Sequence, residues 1–204
     1  MANDQITIKG AQIDWQCAGD FGFTVGYQPT AAERFIANYP ALLVPVLLYF
    51  LSWQDLGWSV FQIVVASFLA LDMIGGVLTN SLGSMKRFLH TDQQLPMNWL
   101  GKLVGNKLVF PAIHVQIFAA PLFFDIGWSY GFFWYGVMMA AVLLIHKLPL
   151  YLHRPVALMI VMLSIIIGQV VFIAPPGLEW LAPIYMIKLV LSHGVREEPY
   201  RPSY

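Results

Sequence analysis

The apolar residues of this chain fall in runs near twenty residues long, and that one feature closes off most of the folds open to 204 residues. A run of that length is what a helix needs to cross ~30 Å of hydrocarbon. Lipid offers no partner for backbone N–H and C=O groups, so each run has to satisfy them internally, as helix. Composition agrees. Hydrophobic residues make up 58% of the chain and charged residues 11%, where a soluble domain has roughly 25% charged. The expected fold class is all-α, a polytopic integral membrane protein with six transmembrane helices.

The six spans read as about 36–53, 58–80, 107–124, 131–146, 155–174 and 178–193. A polar segment, 1–35, precedes them and a polar tail, 194–204, follows. Within the first segment a short extended piece is read at 5–9. Thr30 and Glu33 have the spacing of a capping box, so a helix is expected to start there. Pro40 and Pro45 are expected to kink the first span, and Pro111 and Pro121 to interrupt the third. The helix of the second span is expected to run on to about residue 90. Residues 96–104 read either as a short interfacial helix or as a plain connecting loop. The tail is expected to be disordered or surface-bound.

The basic residues supply an orientation. Loops on alternate sides of six spans divide the chain into two sets, and all eleven Lys and Arg fall in one of them. Lys9 and Arg34 precede span one; Lys86, Arg87, Lys102 and Lys107 follow span two. Lys147 and Arg154 follow span four, and Lys188, Arg196 and Arg201 close the chain. The positive-inside rule then puts both termini in the cytoplasm. The expected location is a multi-pass position in the bacterial inner (plasma) membrane. The start of the chain lacks a cleavable signal pattern, so the first helix is expected to direct its own insertion.

Zero net charge removes the electrostatic support a nucleic-acid partner needs. Cys17 is the only cysteine, which excludes an intrachain disulfide and a Cys-rich zinc site. The two halves of the chain show no repeat, which argues against an inverted-repeat transporter.

Polar residues concentrate in one stretch, Leu71 to His90. Taken as a single helix at 100° per residue, it places Asp72, Gly76, Thr79, Asn80, Gly83, Ser84, Arg87 and His90 along one side. The bulky apolar residues take the other side. That arrangement predicts a polar groove facing the bundle and opening to the cytosol, because ionisable groups facing lipid are costly. Counting ~1.5 Å per residue from the span ends puts Asp72 and His114 at about the same depth. They are the candidate acid/base pair.

Asn80, Ser84 and Arg87 are the candidate substrate-binding residues, with Ser84 a candidate nucleophile near His90. His90, His114, His146 and Asp72 are candidate ligands of a divalent metal such as zinc or iron, since imidazole and carboxylate suit such ions. No HxxxH, HxxHH or HExxH spacing supports the metal. Gln116 and Gln169 are expected to bond between helices, and Lys188 to snorkel to the interface.

Two function classes follow. One is a small membrane enzyme acting on a lipid or isoprenoid-like substrate, with the bilayer as its surroundings. The other is a non-catalytic transport, proton-relay or assembly subunit in which Asp72 and His114 form a relay or a helix-locking bond.

Overall fold

The computed structural model describes residues 7–8, 10–51, 56–95 and 97–203. Four helical stretches are long and apolar enough to cross a membrane and mark a multi-pass membrane protein: Ala31–Phe50, Val60–Ser81, Trp128–Lys147 and Leu150–Val170. Two more apolar stretches, Val109–Phe123 and Leu181–His193, are shorter. At 1.5 Å per residue the last is roughly 20 Å long, less than the ~30 Å of a bilayer core. Among the described residues, four helices rather than six therefore have spanning length.

Proline accounts for much of this. The first stretch starts as α1 (Ala31–Asn38), turns through a 3₁₀ segment at Pro40–Leu42 and resumes as α2 (Leu43–Leu51). Thr30 caps it as expected: its hydroxyl accepts from the Glu33 N–H, while the Glu33 carboxylate accepts from the Thr30 N–H. Helix α3 (Val60–Ser81) is uninterrupted and begins with a second capping box, Ser59 and Gln62. The expected third span is broken into α6 (Val109–Ala112), a 3₁₀ turn and α7 (Ala119–Phe123), with Pro111 in α6 and Pro121 in α7. Before it lies α5 (Trp99–Val104), so residues 96–104 do contain a short helix.

Helix α8 (Trp128–Lys147) is the centre of the core. Trp134, Met138, Ala141, Val142 and Ile145 recur on one face of it and are buried. Helix α9 (Leu150–Val170) packs on α8, and its outer face of Leu158, Met162, Ile165 and Ile166 is exposed, as a lipid-facing helix requires. The chain returns through α10 (Leu181–Met186), which widens into a π-helical stretch, Ile187–His193. This stretch packs closely on α3.

The expected run of one helix from 71 to 90 does not hold. Leu82 is extended (φ −69°, ψ 142°), and a new helix, α4 (Gly83–His90), starts after it. Glu33 stitches the break by accepting from the Ser84 N–H at 2.8 Å with its other carboxylate oxygen. The described part of the tail is not disordered, one of the two expected outcomes: it contributes a strand. Strands β1 (Thr7–Ile8), β2 (Ala11–Ile13) and β5 (Tyr200–Pro202) form one antiparallel sheet in the order β1-β2-β5. The extended piece read at 5–9 falls partly in β1; residues 5, 6 and 9 lie outside the described residues. A hairpin of β3 (Phe21–Gly22) and β4 (Gly26–Tyr27) lies against α4. A Cβ on Gly26, whose φ is +69°, would meet the Ser84 carbonyl, so only glycine allows this approach.

Lys86 shows how these pieces are joined. It is buried, and its ammonium donates to the carbonyls of Ser192 and Val195 at 2.6 and 2.7 Å. It thereby closes the last helical stretch. Glu197 lies 3.5 Å away, but burial wins and lowers the Lys86 pKa to about 8.

Candidate functional site

The fold leaves a cavity of about 430 Å³ beside α3. Its walls come from the first helical stretch (Ala37, Ala41, Leu42), α3 (Leu71 to Asn80), α5 (Leu100, Leu103, Val104) and α6 (Phe110), with Ile113 and His114 just beyond. The β3–β4 hairpin closes one end with Phe23 and Thr24. Most of the wall is apolar. Phe23, Leu42, Leu100 and Ile113 at its edge are exposed. The rim of the cavity is therefore apolar where it is exposed.

At its base Lys188 Nζ donates to Asp72 Oδ1 at 2.8 Å. The lysine side chain is 2% exposed and the carboxylate 42%. Gly76 makes room for this: a Cβ there would run into the Lys188 Cε. One turn further along α3, the Thr79 hydroxyl donates to the Gly76 carbonyl at 3.2 Å. Asn80, at 3% exposure, lines the cavity with its Nδ2 unpartnered.

His114 lies on the same wall. Its Nδ1 is 2.6 Å from the Phe110 carbonyl, which can only accept, so Nδ1 carries the proton and Nε2 of the neutral ring is an acceptor. The Tyr185 hydroxyl donates to the His114 carbonyl at 2.6 Å and fixes the turn that carries it.

The sequence-derived set therefore divides. Asp72, His114 and Asn80 line one cavity, as the groove reading expected, but no hydrogen bond joins Asp72 to His114; the carboxylate bonds Lys188 instead. Ser84 and Arg87 are taken out of it by the break at Leu82. The Ser84 side chain is buried without a partner, away from the cavity lining. Arg87 donates to the backbone carbonyls of Asp14 and Tyr27 at 2.8 and 2.7 Å, and so holds the N-terminal segment rather than a substrate.

The metal set is not assembled either. Among the described residues no group of three His, Cys, Asp or Glu side chains is placed to hold an ion. His114 and His146 each turn Nδ1 to the carbonyl four residues back. His90 is swung away by the same break, buried, and held in its neutral form by burial and the nearby Lys86 charge. Gln116 is half-buried with its Oε1 unpartnered, so that atom makes no helix–helix bond.

Lys188, which the sequence reading sends to the interface, is instead buried against Asp72. Its signal was present: a cation five residues inside the end of an apolar segment, in a chain with one acid at matching depth. Comparison of the chain with protein-family models, with curated proteins and with solved structures gives no match.

Proposed function

We propose that the chain is a small membrane enzyme that takes a lipid-like amphiphile sideways from the bilayer and acts on its polar head by proton transfer. The observation that carries this reading is the joining, in one cavity, of mostly apolar walls with an ion pair whose lysine is buried and an unsatisfied amide. Few buried polar groups in an apolar pocket are the usual design of a small-molecule site. An ionisable pair within membrane-spanning structure carries an insertion cost that favours a functional role. Asp72 is the proton acceptor, Lys188 pairs with it at 2.8 Å and donates to the substrate, and His114 offers a second acceptor.

The same reading places both termini and the basic loops in the cytoplasm and counts six crossings. Chain connectivity supports it. Helix α3 ends beside α4 and the terminal sheet, while α8 starts at the opposite end, where Trp58 meets Phe124. On this reading the segment 109–123 crosses between them. The segment 181–193 likewise returns from Gly177, packed against Leu56 and Trp58, to Val195 beside Lys86.

The test reconstitutes the full chain in lipid nanodiscs and follows the lipids by mass spectrometry. Gly75→Phe fills the cavity from a position whose Cβ would touch only Ala41, so it leaves the ion pair intact. The expected result is a retained amphiphile lost in Gly75→Phe. A lipid product is expected that wild type forms and Asp72→Asn does not. Identical lipid profiles for all three proteins would overturn the reading.

A second reading rests on the ion pair alone, which ties α3 to the π-helical stretch and serves as a lock between them. The double variant Asp72→Lys, Lys188→Asp restores a lock but reverses the chemistry. Wild-type lipid turnover in that variant would favour the lock.

A further inference from the structure

Both ends of the cavity can be placed along α3. Its base is the Asp72–Lys188 pair. Asn80, on the same continuous helix, stands ~12 Å from Asp72 at ~1.5 Å per residue. The first helical stretch runs antiparallel beside it, and two contacts give the register. A Cβ on Gly75 would sit 3.7 Å from the Ala41 Cβ, and Glu33 accepts from the Ser84 N–H at 2.8 Å. Ala37, midway between Glu33 and Ala41, therefore flanks the cavity near Thr79 and Asn80. Beyond that level comes the β3–β4 hairpin, with Gly26 pressed against the backbone of Ser84 and Met85. Phe23 and Thr24 at its tip line the cavity.

The hairpin is held where it stands. The Val25 N–H closes its turn by donating to the Gly22 carbonyl at 3.2 Å. Arg87 donates to the Tyr27 carbonyl at 2.7 Å, and the Phe21 and Phe88 rings pack with centroids 4.3 Å apart. Val25 and Tyr27 are buried in one apolar cluster with Leu82, Met85 and Phe88. A tip fixed on both flanks acts as a wall. The cavity residues beside it, Ala37, Met85, Leu103 and Val104, belong to that same cluster or pack on it. Of the polar side chains at this end, Thr79 and Asn38 donate to backbone carbonyls, which leaves Asn80 and Thr24. The base, by contrast, is formed by Asp72, Lys188 and His114.

We propose that the hairpin tip is the end stop of the cavity and that Phe23 sets the length of the amphiphile it accepts. This rests on the cavity reading above and deepens it. With the polar head at Asp72 and Lys188, the tail runs along α3 toward the hairpin. A tail that just reaches Phe23 fills the cavity. A longer one has to displace a packed wall, an overpacking cost that lowers its occupancy about tenfold.

The test adds an equimolar mixture of straight-chain primary alcohols, octanol to octadecanol, to the purified full chain in detergent. The protein is separated from empty micelles, and gas chromatography compares the alcohols in the two fractions. Wild type is expected to show one length beyond which enrichment falls about tenfold. Phe23→Ala is expected to move that fall about three carbons longer, the room a ring leaves along an extended chain. Phe23 is exposed at a turn, so the change is tolerated. Phe23→Leu moves the fall the same way by less, and serves if alanine loosens the turn. Leu42, next to Ala41 at the level of Gly75, is the side-wall control. Leu42→Ala is expected to lower every length alike and leave the fall in place.

An unmoved fall in both Phe23 variants would overturn the end stop, and so would enrichment that never falls with length in wild type. An equal shift in Leu42→Ala would also overturn it, because cavity volume rather than the tip would then set the length. Each of these results, with retention blocked by Gly75→Phe, leaves the cavity reading standing. Absence of enrichment at every length would remove both.

Discussion

Lys188 and Asp72 are unequal partners. The ammonium is buried at 2% exposure, whereas the carboxylate, at 42%, reaches the cavity. Removing one member of a buried pair is costly because the other charge is left without compensation, by about 3–5 kcal/mol where burial is complete. Asp72→Asn strands the buried member and is expected to cost in that range. Lys188→Met strands the member that cavity water can solvate, and is expected to cost about 1 kcal/mol, as an exposed pair does. Unfolding in mixed micelles by added SDS measures both. Equal losses would mean that the carboxylate is as enclosed as the lysine. Depth counting along the spans had already brought Asp72 and His114 to one level, and the cavity contains both. It gave no azimuth for Lys188, because a lysine near a helix end has a default route to the interface. That route is closed here by the packing of the π-helical stretch on α3, a tertiary contact that spacing alone does not encode.

Helix α3 carries Gly75 and Gly76 side by side, and their surroundings differ. A Cβ on Gly75 would sit 3.7 Å from the Ala41 Cβ, an ordinary contact. Gly75→Ala is therefore expected to stabilise the protein by about 0.5–1 kcal/mol, the helix-propensity gain. A Cβ on Gly76 would meet the Lys188 stem, which the ion pair holds in place. Gly76→Ala is expected to destabilise by about 1–3 kcal/mol through overpacking. Placed on Lys188→Ala, the same change should become favourable, since the obstructing stem is gone. A Gly76→Ala cost that persists there would place the crowding elsewhere. Adjacent glycines in a membrane helix permit close helix approach without specifying the neighbour. The helical spacing of the polar residues from 71 to 90 also predicted one continuous helix through Leu82. The break comes from Glu33, more than forty positions earlier, which caps the new helix at Ser84. A long-range cap leaves no trace in local periodicity, and with it went the assignment of Ser84, Arg87 and His90 to the groove.

The two ends of the chain are joined. Arg201 reaches Asp14 at 3.2 Å and Gln28 at 2.7 Å, and β5 pairs with β2. Arg87 holds the carbonyls of Asp14 and Tyr27 from below, so the hairpin that closes the cavity is anchored on both sides. The tail Gly194–Tyr204 read as solvated because it is polar and contains two prolines; its pairing partner lies nearly two hundred residues away. The joined ends also yield a test of the whole arrangement. Cys17 is the only cysteine and is partly exposed. A membrane-impermeant thiol reagent should reach Cys17 from one side of sealed vesicles only. Ser203→Cys in a Cys17→Ser background should label from that same side, because β5 and β2 belong to one sheet. Ser129→Cys, exposed near the start of α8, should label from the other side. With the basic loops cytoplasmic, the first two are protected in right-side-out vesicles and the third is open. Labelling of Ser129→Cys from the same side as Cys17 would mean that segment 109–123 does not cross, and would overturn the proposed six crossings.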